Sequence, residues 1–273
     1  MTTEYTPWTA GDALAQIAVP GDNDDKYSRG VLGVITGSTM YPGAAVLGVE
    51  AALRTGVGMV RYLGPDRPSS LVLSRRPETV TTNGRVQAWL IGSGIETAKG
   101  SESEKWMIEA LAQRVPVILD GGALELHSSA VGPAVLTPHF RELASIVGGT
   151  TDDIANDPGG AAAAAAEQLG ATILLKGHVT YVASPNGVRL RASTAPSWLA
   201  TAGAGDALGG VLGALVATHS EQVLADPSAL ARLAATAAVI HGLAAERASG
   251  GGPLTVLDLA REVSATIAAL RGR

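Results

Sequence analysis

The residue types best suited to chemistry in this chain cluster in a glycine-rich turn, residues 201–207 (TAGAGDA), which precedes a run of small and apolar residues. Glycine at Gly203 and Gly205 lets the backbone turn sharply and approach a ligand closely. The free N–H groups of Gly203, Ala204 and Gly205 would face an anion together with the positive end of the next helix dipole. The turn therefore predicts a phosphate site, in which Asp206 is either a base or a simple helix cap.

A second candidate site lies where a predicted strand ends and a predicted hairpin begins. Its members are Lys176, Gly177, His178, Val179 and Thr180. Ligands bind beyond the carboxyl ends of strands in open parallel sheets, so a lysine, a glycine and a threonine there could hold the adenosine side of a nucleotide. A surface lysine followed by a tight turn is the alternative, and the motif alone does not separate the two.

A third candidate site occupies residues 137–142 (TPHFRE), at another predicted strand end. His139 could bind a substrate, or it could cap the helix that runs to Val147. Glu142 could reach a hydrated magnesium ion, or it could be an ordinary acid in the first turn of that helix. The spacing alone favours the structural role for both residues.

Two glycine-punctuated loops form the fourth candidate site. Residues 36–45 (TGSTMYPGAA) place Pro42 near the first position of a predicted helix. Gly43 and Ala44 would then offer a bare helix end that a bulky ligand can approach. A Gly-Ser-Gly sequence that closes on Gly94 ends another predicted strand in the same manner. Each loop could equally be a plain strand-to-helix turn.

The elements that must position these residues alternate along the chain. Six apolar, β-branched runs that close on glycine or a turn signal predict buried strands, at residues 31–37, 58–64, 88–94, 116–121, 134–138 and 172–177. Predicted helices lie between several of them, at residues 43–55, 101–113 and 152–169. This alternation is typical of a parallel sheet covered by helices on both faces. All four candidate sites should therefore converge on one rim of the sheet.

From residue 179 the pattern changes. Residues 179–184 and 188–193 flank an Asn-Gly pair, whose positive φ angles suit a two-residue turn, and they predict a hairpin at an antiparallel edge. Helices are predicted at residues 206–218, 227–247 and 255–271. No linker rich in Gly, Pro or Ser divides the chain. We expect one α/β domain over residues 1–273, in which residues 1–28 are an N-terminal extension.

Composition and charge limit the classes of function. Apolar residues make up 46% of the chain and aromatic residues only 4%, so the core must be built from Ala, Val, Leu and Ile. A net charge of -5 without a basic run argues against nucleic acid. Without cysteine there is no disulfide and no thiolate metal site. The start lacks a secretory signal, and residues 207–217 are shorter than the roughly 20 residues of a membrane span. We expect a cytoplasmic protein without a membrane span.

Taken in order, the motifs resemble those of the ADP/ATP-dependent NAD(P)H-hydrate dehydratases of the ribokinase-like superfamily. The matching segments are residues 41–45 (YPGAA), 92–94 (GSG), 120–124 (DGGAL), 137–139 (TPH) with Glu142, 176–177 (KG) and 203–206 (GAGD). The resemblance covers nearly the whole chain, from about residue 30 to residue 270. Many ribokinase-like kinases share the last segment, whereas YPGAA and TPH are closer to the dehydratases and carry the assignment.

Two departures from the family pattern are visible. The family commonly has K-G-G-T-G-D where this chain has residues 200–206 (ATAGAGD), and it often has Pro or Ala at the position of Phe140. The lysine usual just before the turn is therefore absent, which weakens the expected phosphate clamp.

The resemblance implies a ribokinase-like three-layer sandwich that dehydrates the S-form hydrate of NADH or NADPH, a metabolite-repair reaction that consumes ADP or ATP with Mg²⁺. Bacterial-type members mostly use ADP, which gives AMP and phosphate. Asp206 would be the base and would touch the substrate together with Ala44, Gly94 and His139. The nucleotide would contact Lys176, Gly177, His178, Val179, Thr180, Gly203, Ala204 and Gly205. Glu142 would reach the metal through water.

Two other functions stay open: a kinase of a vitamin precursor of the hydroxymethylpyrimidine or pyridoxal type, and a non-catalytic nucleotide-binding protein. A dehydratase needs a long, open site for a whole dinucleotide, whereas a vitamin kinase needs a small pocket closed by a lid. The chain is too short for the epimerase domain fused to this activity in some members, so a separate epimerase is expected. The resemblance further implies a homo-oligomer, a tetramer.

Overall fold

A nine-stranded sheet runs through the middle of the protein, a computed structural model of which describes residues 4–95 and 101–272. The strands are β1 (Thr6–Pro7), β2 (Val31–Ile35), β3 (Met59–Tyr62), β4 (Ala88–Ile91), β5 (Val117–Leu119), β6 (Ala134–Leu136), β7 (Thr172–Leu175), β8 (Thr180–Ala183) and β9 (Arg189–Ala192). Their order is β1-β9-β8-β7-β6-β5-β4-β2-β3. Among the described strands only β8 runs antiparallel to its neighbours. The predicted mostly parallel sheet with an antiparallel hairpin is confirmed.

Helices cover both faces of this sheet. In chain order they are α1 (Ala10–Leu14), α2 (Gly43–Thr55), α3 (Asp66–Arg75), α4 (Glu102–Leu111), α5 (Phe140–Val147), α6 (Thr151–Asn156), α7 (Pro158–Leu169), α8 (Ala204–Thr218), α9 (Ser220–Ala225), α10 (Ala229–Ser249) and α11 (Val256–Leu270). The core of one face is formed with α2, α8, α10 and α11, and that of the other with α4, α5, α6 and α7. The predicted three-layer sandwich is confirmed.

The strands are apolar on both sides because each side meets a helical layer. In β2, Leu32 and Val34 belong to the core beneath α2 and α8, whereas Val31 and Ile35 belong to the core beneath α4. Strands buried on both faces are expected to be nearly continuous apolar runs. Successive side chains of β2 enter the cores on opposite faces of the sheet, which explains why no polar residue interrupts this strand in the sequence.

Small residues let α8 approach α2 and the sheet closely. A Cβ on Gly210 of α8 would overlap the backbone carbonyl of Gly48 in α2, and one on Gly213 would lie 2.9 Å from a methyl carbon of Leu32. Every residue from Ala207 to Ala217 is buried. A core with few aromatic side chains is thus filled by close contact between backbones, which also fixes the start of α8 relative to the sheet.

The N-terminal segment, predicted only as an extension, adds the outermost strand. The β1 strand pairs in parallel with β9, and the N–H of Trp8 donates to the carbonyl of Arg191 at 2.8 Å. The Tyr5 hydroxyl donates to the carbonyl of Gly159 at 2.8 Å. The hairpin of β8 and β9 is therefore one strand away from the edge. A strand of two residues has too short a pattern to be predicted, and residues 1–3 of this extension lie outside the described residues.

Several helix boundaries differ from the prediction. The single helix predicted for residues 152–169 is two helices, because the backbone of Asp157 (φ -144°, ψ 74°) is not helical and its side chain caps α7. The α8 helix begins at Ala204, two residues before its predicted start. Helix α3 was not predicted, and only two of its residues, Pro68 and Val72, are buried. A helix with so few buried residues leaves little apolar periodicity in the sequence.

Helix α10 is long and apolar enough to cross a membrane by length and composition, and 83% of its most apolar window is buried inside the fold. It lies against the sheet and against α8 and α11, so its apolar surface is used in the core.

Candidate active site

The strand ends that were predicted to carry the site lie side by side at the carboxyl edge of the sheet. The N–H of Gly37, after β2, donates to the carbonyl of Ser93, after β4, at 2.7 Å. The N–H of Lys176, after β7, donates to the carbonyl of Pro138, after β6, at 2.8 Å. Asp120, after β5, accepts a hydrogen bond from the Lys176 ammonium at 2.7 Å. The four candidate sites therefore form one continuous rim.

Asp206 lies in the first turn of α8, above this rim. Gly203 is the N-cap residue, with φ +90°, and no side chain caps the helix. Asp206 is thus the third residue of the helix, and the interpretation as a simple cap is wrong. Its carboxylate accepts a short hydrogen bond from the hydroxyl of Ser93. The carboxylate is thereby held toward the end of β4.

The surroundings of Asp206 make it more basic than an ordinary aspartate. Burial raises the pKa of its carboxyl, and the nearby charge of Asp120 raises it further. The hydrogen bond from Ser93 and the charge of Lys176 act in the opposite direction without cancelling the rise. A carboxylate with a raised pKa is a better proton acceptor near neutral pH.

Lys176 carries the positive charge of the site. Burial disfavours this charge, but Asp120 and Glu142 outweigh it, so the pKa of Lys176 is raised and the ammonium stays protonated. Its Nζ lies 2.7 Å from Asp120 and 3.8 Å from Glu142. A Cβ placed on Gly205 would lie 3.4 Å from the same nitrogen. The predicted phosphate turn therefore has a lysine beside it in space, although no lysine stands immediately before it in the sequence.

His139 and Glu142 form a capping box at the start of α5. The N–H of Glu142 donates to Nδ1 of His139 at 3.1 Å, and the N–H of His139 donates to the Glu142 carboxylate at 2.7 Å. The structural role that spacing favoured is thus present for both residues. The His139 side chain is half exposed and also lines the cavity described below. Its predicted contact with substrate stays a prediction.

Gly94 and Ala44 pack against each other where β4 and α2 meet. Gly94 has φ +66°, in the left-handed region that favours glycine, and a Cβ there would lie 2.6 Å from the Cβ of Ala44. The same Cβ would lie 3.2 Å from the carbonyl of Tyr41. Only glycine fits at this position, because any side chain would collide with the loop that leads into α2.

A cavity of about 730 Å³ opens beside Lys176 and the start of α8. Seven predicted residues line it: His139, Lys176, Gly177, His178, Thr180, Ala204 and Gly205. Val179 and Gly203 are not in the lining. Ala44, Gly94 and Asp206 lie outside it, along the rim toward β4. The structure thus divides the predicted residues between a cavity and a neighbouring surface.

Sequence reasoning missed part of the cavity wall and two polar residues of the rim. The missed wall residues are Ala195, Pro196, Ser197, Leu199, Ala200, Thr201, Ala202, Leu208, Ala238 and His241. They are mostly small or apolar; Thr201 and Ala202 stand in the glycine-rich turn without an assigned role, and the others carry no motif. Ser93 and Asp120, by contrast, stand in the segments 92–94 and 120–124 that carried the resemblance, where neither was given a role of its own. Their position just after strands is a signal that could have assigned one.

The carboxylates of the rim can hold a magnesium ion only together with ligands from elsewhere, such as phosphate and water. No group of three or more His, Asp or Glu residues that could hold a metal exists within residues 4–95 and 101–272. Mg²⁺ commonly keeps several waters and binds through one or two carboxylates together with substrate phosphates. Glu142 is partly exposed beside Lys176 and suits such a water-mediated contact. The residues fit a magnesium ion held chiefly by nucleotide phosphates.

Comparison with known proteins places this chain in a family. A family model for NAD(P)H-hydrate dehydratase matches residues 32–267. The bifunctional NAD(P)H-hydrate repair enzyme Nnr of Mycobacterium tuberculosis is 41% identical over 228 residues, which cover 79% of this chain and 47% of that protein. The chain thus spans about half the length of this relative. The ADP-dependent (S)-NAD(P)H-hydrate dehydratase of Neisseria meningitidis is 30% identical, over 92% of this chain and 88% of its own.

Solved structures agree with this match. The ADP/ATP-dependent NAD(P)H-hydrate dehydratase of Bacillus subtilis, co-crystallized with ATP/Mg²⁺, superposes with a TM-score of 0.87 at 25% identity and covers 98% of this chain and 100% of its own. A ribokinase-like superfamily protein from Enterococcus faecalis shares the fold, with a TM-score of 0.82 at 20% identity over 97% of this chain and 96% of its own. From its sequence and its fold, this chain belongs to the NAD(P)H-hydrate dehydratase family.

Proposed function

We propose that this chain dehydrates the S-form hydrate of NADH or NADPH at the expense of a nucleotide, with ADP converted to AMP and phosphate. The observation that carries the proposal is the position of Asp206. Its carboxylate bonds to Ser93 on the Gly94 side of the rim and interacts electrostatically with Lys176 on the cavity side. A base between two binding regions is what a transfer between two ligands requires. The names of the relatives from Neisseria meningitidis and Bacillus subtilis support this reaction.

In the first step, Asp206 accepts the proton of the hydroxyl group on the hydrated nicotinamide ring. The oxygen of that hydroxyl group attacks the terminal phosphorus of the nucleotide, and the bond from that phosphorus to the bridging oxygen breaks, which releases AMP when ADP is used. In the second step, the ring carbon–oxygen bond breaks and phosphate leaves with the electron pair. Loss of a proton from the neighbouring ring carbon to solvent restores the double bond.

The chain would stabilise this transfer mainly through position and charge. The N–H groups at the start of α8 face the anion that develops on the phosphoryl oxygens, and Lys176 supplies the positive charge. Magnesium, when bound, would neutralise phosphate charge, with Glu142 as its outer contact. Lys176 thus takes the place of the lysine that is missing before the turn.

Ala44, Gly94 and His139 are proposed to contact the hydrated dinucleotide. Ala44 and Gly94 present little more than backbone, which suits a bulky ligand that must come close to Asp206. His139 lies at the border with the cavity, where its half-exposed ring can reach either ligand. The homotetramer and the separate epimerase stay predictions.

The direct test is to mix the purified protein with hydrated NADH, Mg²⁺ and either ADP or ATP, and to follow the return of nicotinamide absorbance. We expect absorbance to return with a nucleotide and not without one. A second mixture, in which hydroxymethylpyrimidine or pyridoxal replaces the hydrate and consumption of the nucleotide is measured, tests for a kinase. No return of absorbance with either nucleotide would overturn the proposal, and binding without any turnover would favour the non-catalytic alternative.

A further inference from the structure

His241 is an unusual residue within the otherwise apolar helix α10. It is 5% exposed and lines the cavity beside Lys176. Its Nε2 atom is buried and makes no hydrogen bond to the residues that the structure describes. Five other buried polar side-chain atoms share that condition in the described ranges, but only His241 belongs to the cavity wall. The unpartnered atom and the cavity therefore coincide at one residue.

A buried polar atom without a partner destabilises a fold, so its presence needs a reason. The same helix shows what a satisfied polar residue looks like: Thr236 is fully buried and accepts a hydrogen bond from the indole N–H of Trp8 at 3.0 Å. His241 has no such partner for Nε2. A ligand in the cavity would supply one.

The ring of His241 is uncharged at neutral pH. Burial lowers the pKa of the imidazole to about 4, and an interaction with the backbone of Ala204 offsets only part of that change. Its neighbours in the cavity wall, Leu208 and Ala238, are apolar. The charged group of the cavity is Lys176, next to the phosphate turn at Gly205. A neutral ring suits an uncharged polar group better than it suits phosphate.

We propose that Nε2 of His241 hydrogen-bonds an uncharged polar atom of the nucleoside part of the nucleotide, so that His241 determines specificity for a nucleoside diphosphate over inorganic pyrophosphate. The inference deepens the proposed function and rests on its use of a nucleotide. Lys176 and the start of α8 hold the phosphates, and His241 recognises what is attached to them.

The test measures the affinity of the whole chain for ADP and for inorganic pyrophosphate by calorimetry, each with Mg²⁺ and without hydrate. We expect His241→Leu to weaken ADP binding about tenfold while pyrophosphate binding stays unchanged, since one hydrogen bond is lost from one ligand only. His241→Gln should retain most of the ADP affinity, because its terminal amide can reach the position of Nε2. The Tm of ligand-free His241→Leu should equal or exceed that of the wild type, since an unpartnered polar atom is removed.

Thr236→Val is the matched control on the same helix. It removes a hydrogen bond in the core and should lower the Tm without changing ADP affinity. Equal losses for ADP and pyrophosphate in His241→Leu, or no loss for either, would overturn the proposal. So would a lowered Tm in His241→Leu with unchanged ADP affinity, or a wild-type chain that fails to bind ADP. Selective loss of ADP binding together with a failed dehydration assay would leave this inference standing and overturn only the proposed reaction.

Discussion

The two halves of the rim are built on different principles. On the Gly94 half, glycine and alanine residues pack backbone against backbone, and Gly94 tolerates no side chain. On the Lys176 half, charged side chains meet: the Lys176 ammonium lies between Asp120 and Glu142. One half is defined by shape and the other by charge. Asp206 lies between them. It accepts a hydrogen bond from Ser93 on one side and is attracted by the charge of Lys176 on the other.

This difference teaches how one fold can serve two ligands. A surface of backbone atoms and small side chains leaves room for the proposed dinucleotide, whereas the partly buried Lys176 places a positive charge where phosphate is proposed to lie. Changes on either half should therefore affect one ligand, and changes at Asp206 should affect the reaction between them.

The largest effect on turnover is expected at Asp206, between the two halves. Asp206→Asn should bind both ligands and lower turnover by about 10²–10⁴-fold, because an amide cannot accept the proton. The folded-state pKa of Asp206 is raised, so its ionisation costs stability as pH rises through that pKa. The variant should therefore have an unchanged or higher Tm at neutral pH. Turnover and thermal melting measure the two effects.

Asp153→Asn is the control for this variant, since Asp153 is also the third residue of a helix but is exposed and remote from the rim. It should leave turnover intact. An Asp206→Asn variant with near-normal turnover would show that the two halves are not joined through this base.

The next largest effect on turnover is expected on the Gly94 half. Gly94→Ala should lower kcat/KM for the hydrate by about 10²-fold, because a Cβ 2.6 Å from Ala44 forces the loop away from its position. ADP affinity should stay unchanged, which calorimetry checks. Gly148→Ala, at φ +77° with nothing near its Cβ, has the same backbone strain without the collision and is the matched control. Equal loss of ADP affinity in Gly94→Ala would contradict the division into halves.

The charge half is tested at Lys176. Lys176→Met should weaken ADP binding by about 10–10²-fold, the worth of a charge-assisted hydrogen bond, and leave hydrate binding unchanged. It should also lower the Tm, because Asp120 is left buried without its partner. The double variant with Asp120→Asn should regain stability but not ADP affinity. Recovery of affinity in the double variant would assign Lys176 a structural role only.

The smallest effect is expected at Ser93. The hydrogen bond from Ser93 lowers the pKa of Asp206, so Ser93→Ala should raise that pKa further. A base is inactive when protonated, and the acid limb of the pH–rate profile should therefore move to higher pH, while the plateau rate changes only a few-fold. Movement of the limb to lower pH would show that Ser93 does not act through Asp206. A profile from about pH 4 to pH 9 covers the range between the ordinary pKa of an aspartate and alkaline conditions.

The parallel sheet and the convergence of the sites could be predicted from the sequence because they depend on local patterns. Apolar runs that end at Gly37, Gly94 and Gly177 are visible without any tertiary contact. The ion pair of Lys176 with Asp120 could not be predicted, because it joins residues 56 positions apart that follow two different strands. The same holds for the bond from Ser93 to Asp206, which spans 113 positions.

The cavity wall was missed for a different reason. Small or apolar residues that line a cavity, such as Ala195 and Leu208, look like any other core residue in a sequence. His241 looks like an ordinary buried histidine until its missing partner is visible in three dimensions.

The outermost strand has a consequence for how local stability is distributed. Strand β9 leads directly into residues 195–202, which form one wall of the cavity. The pairing of β1 with β9 and the bond from Trp8 to Thr236 on α10 attach the N-terminal segment to both elements behind that wall. Amides of β9 should therefore exchange with solvent only when the N-terminal segment detaches from β9 and α10. Residues 5–8 are then expected to set how often this wall of the cavity opens locally.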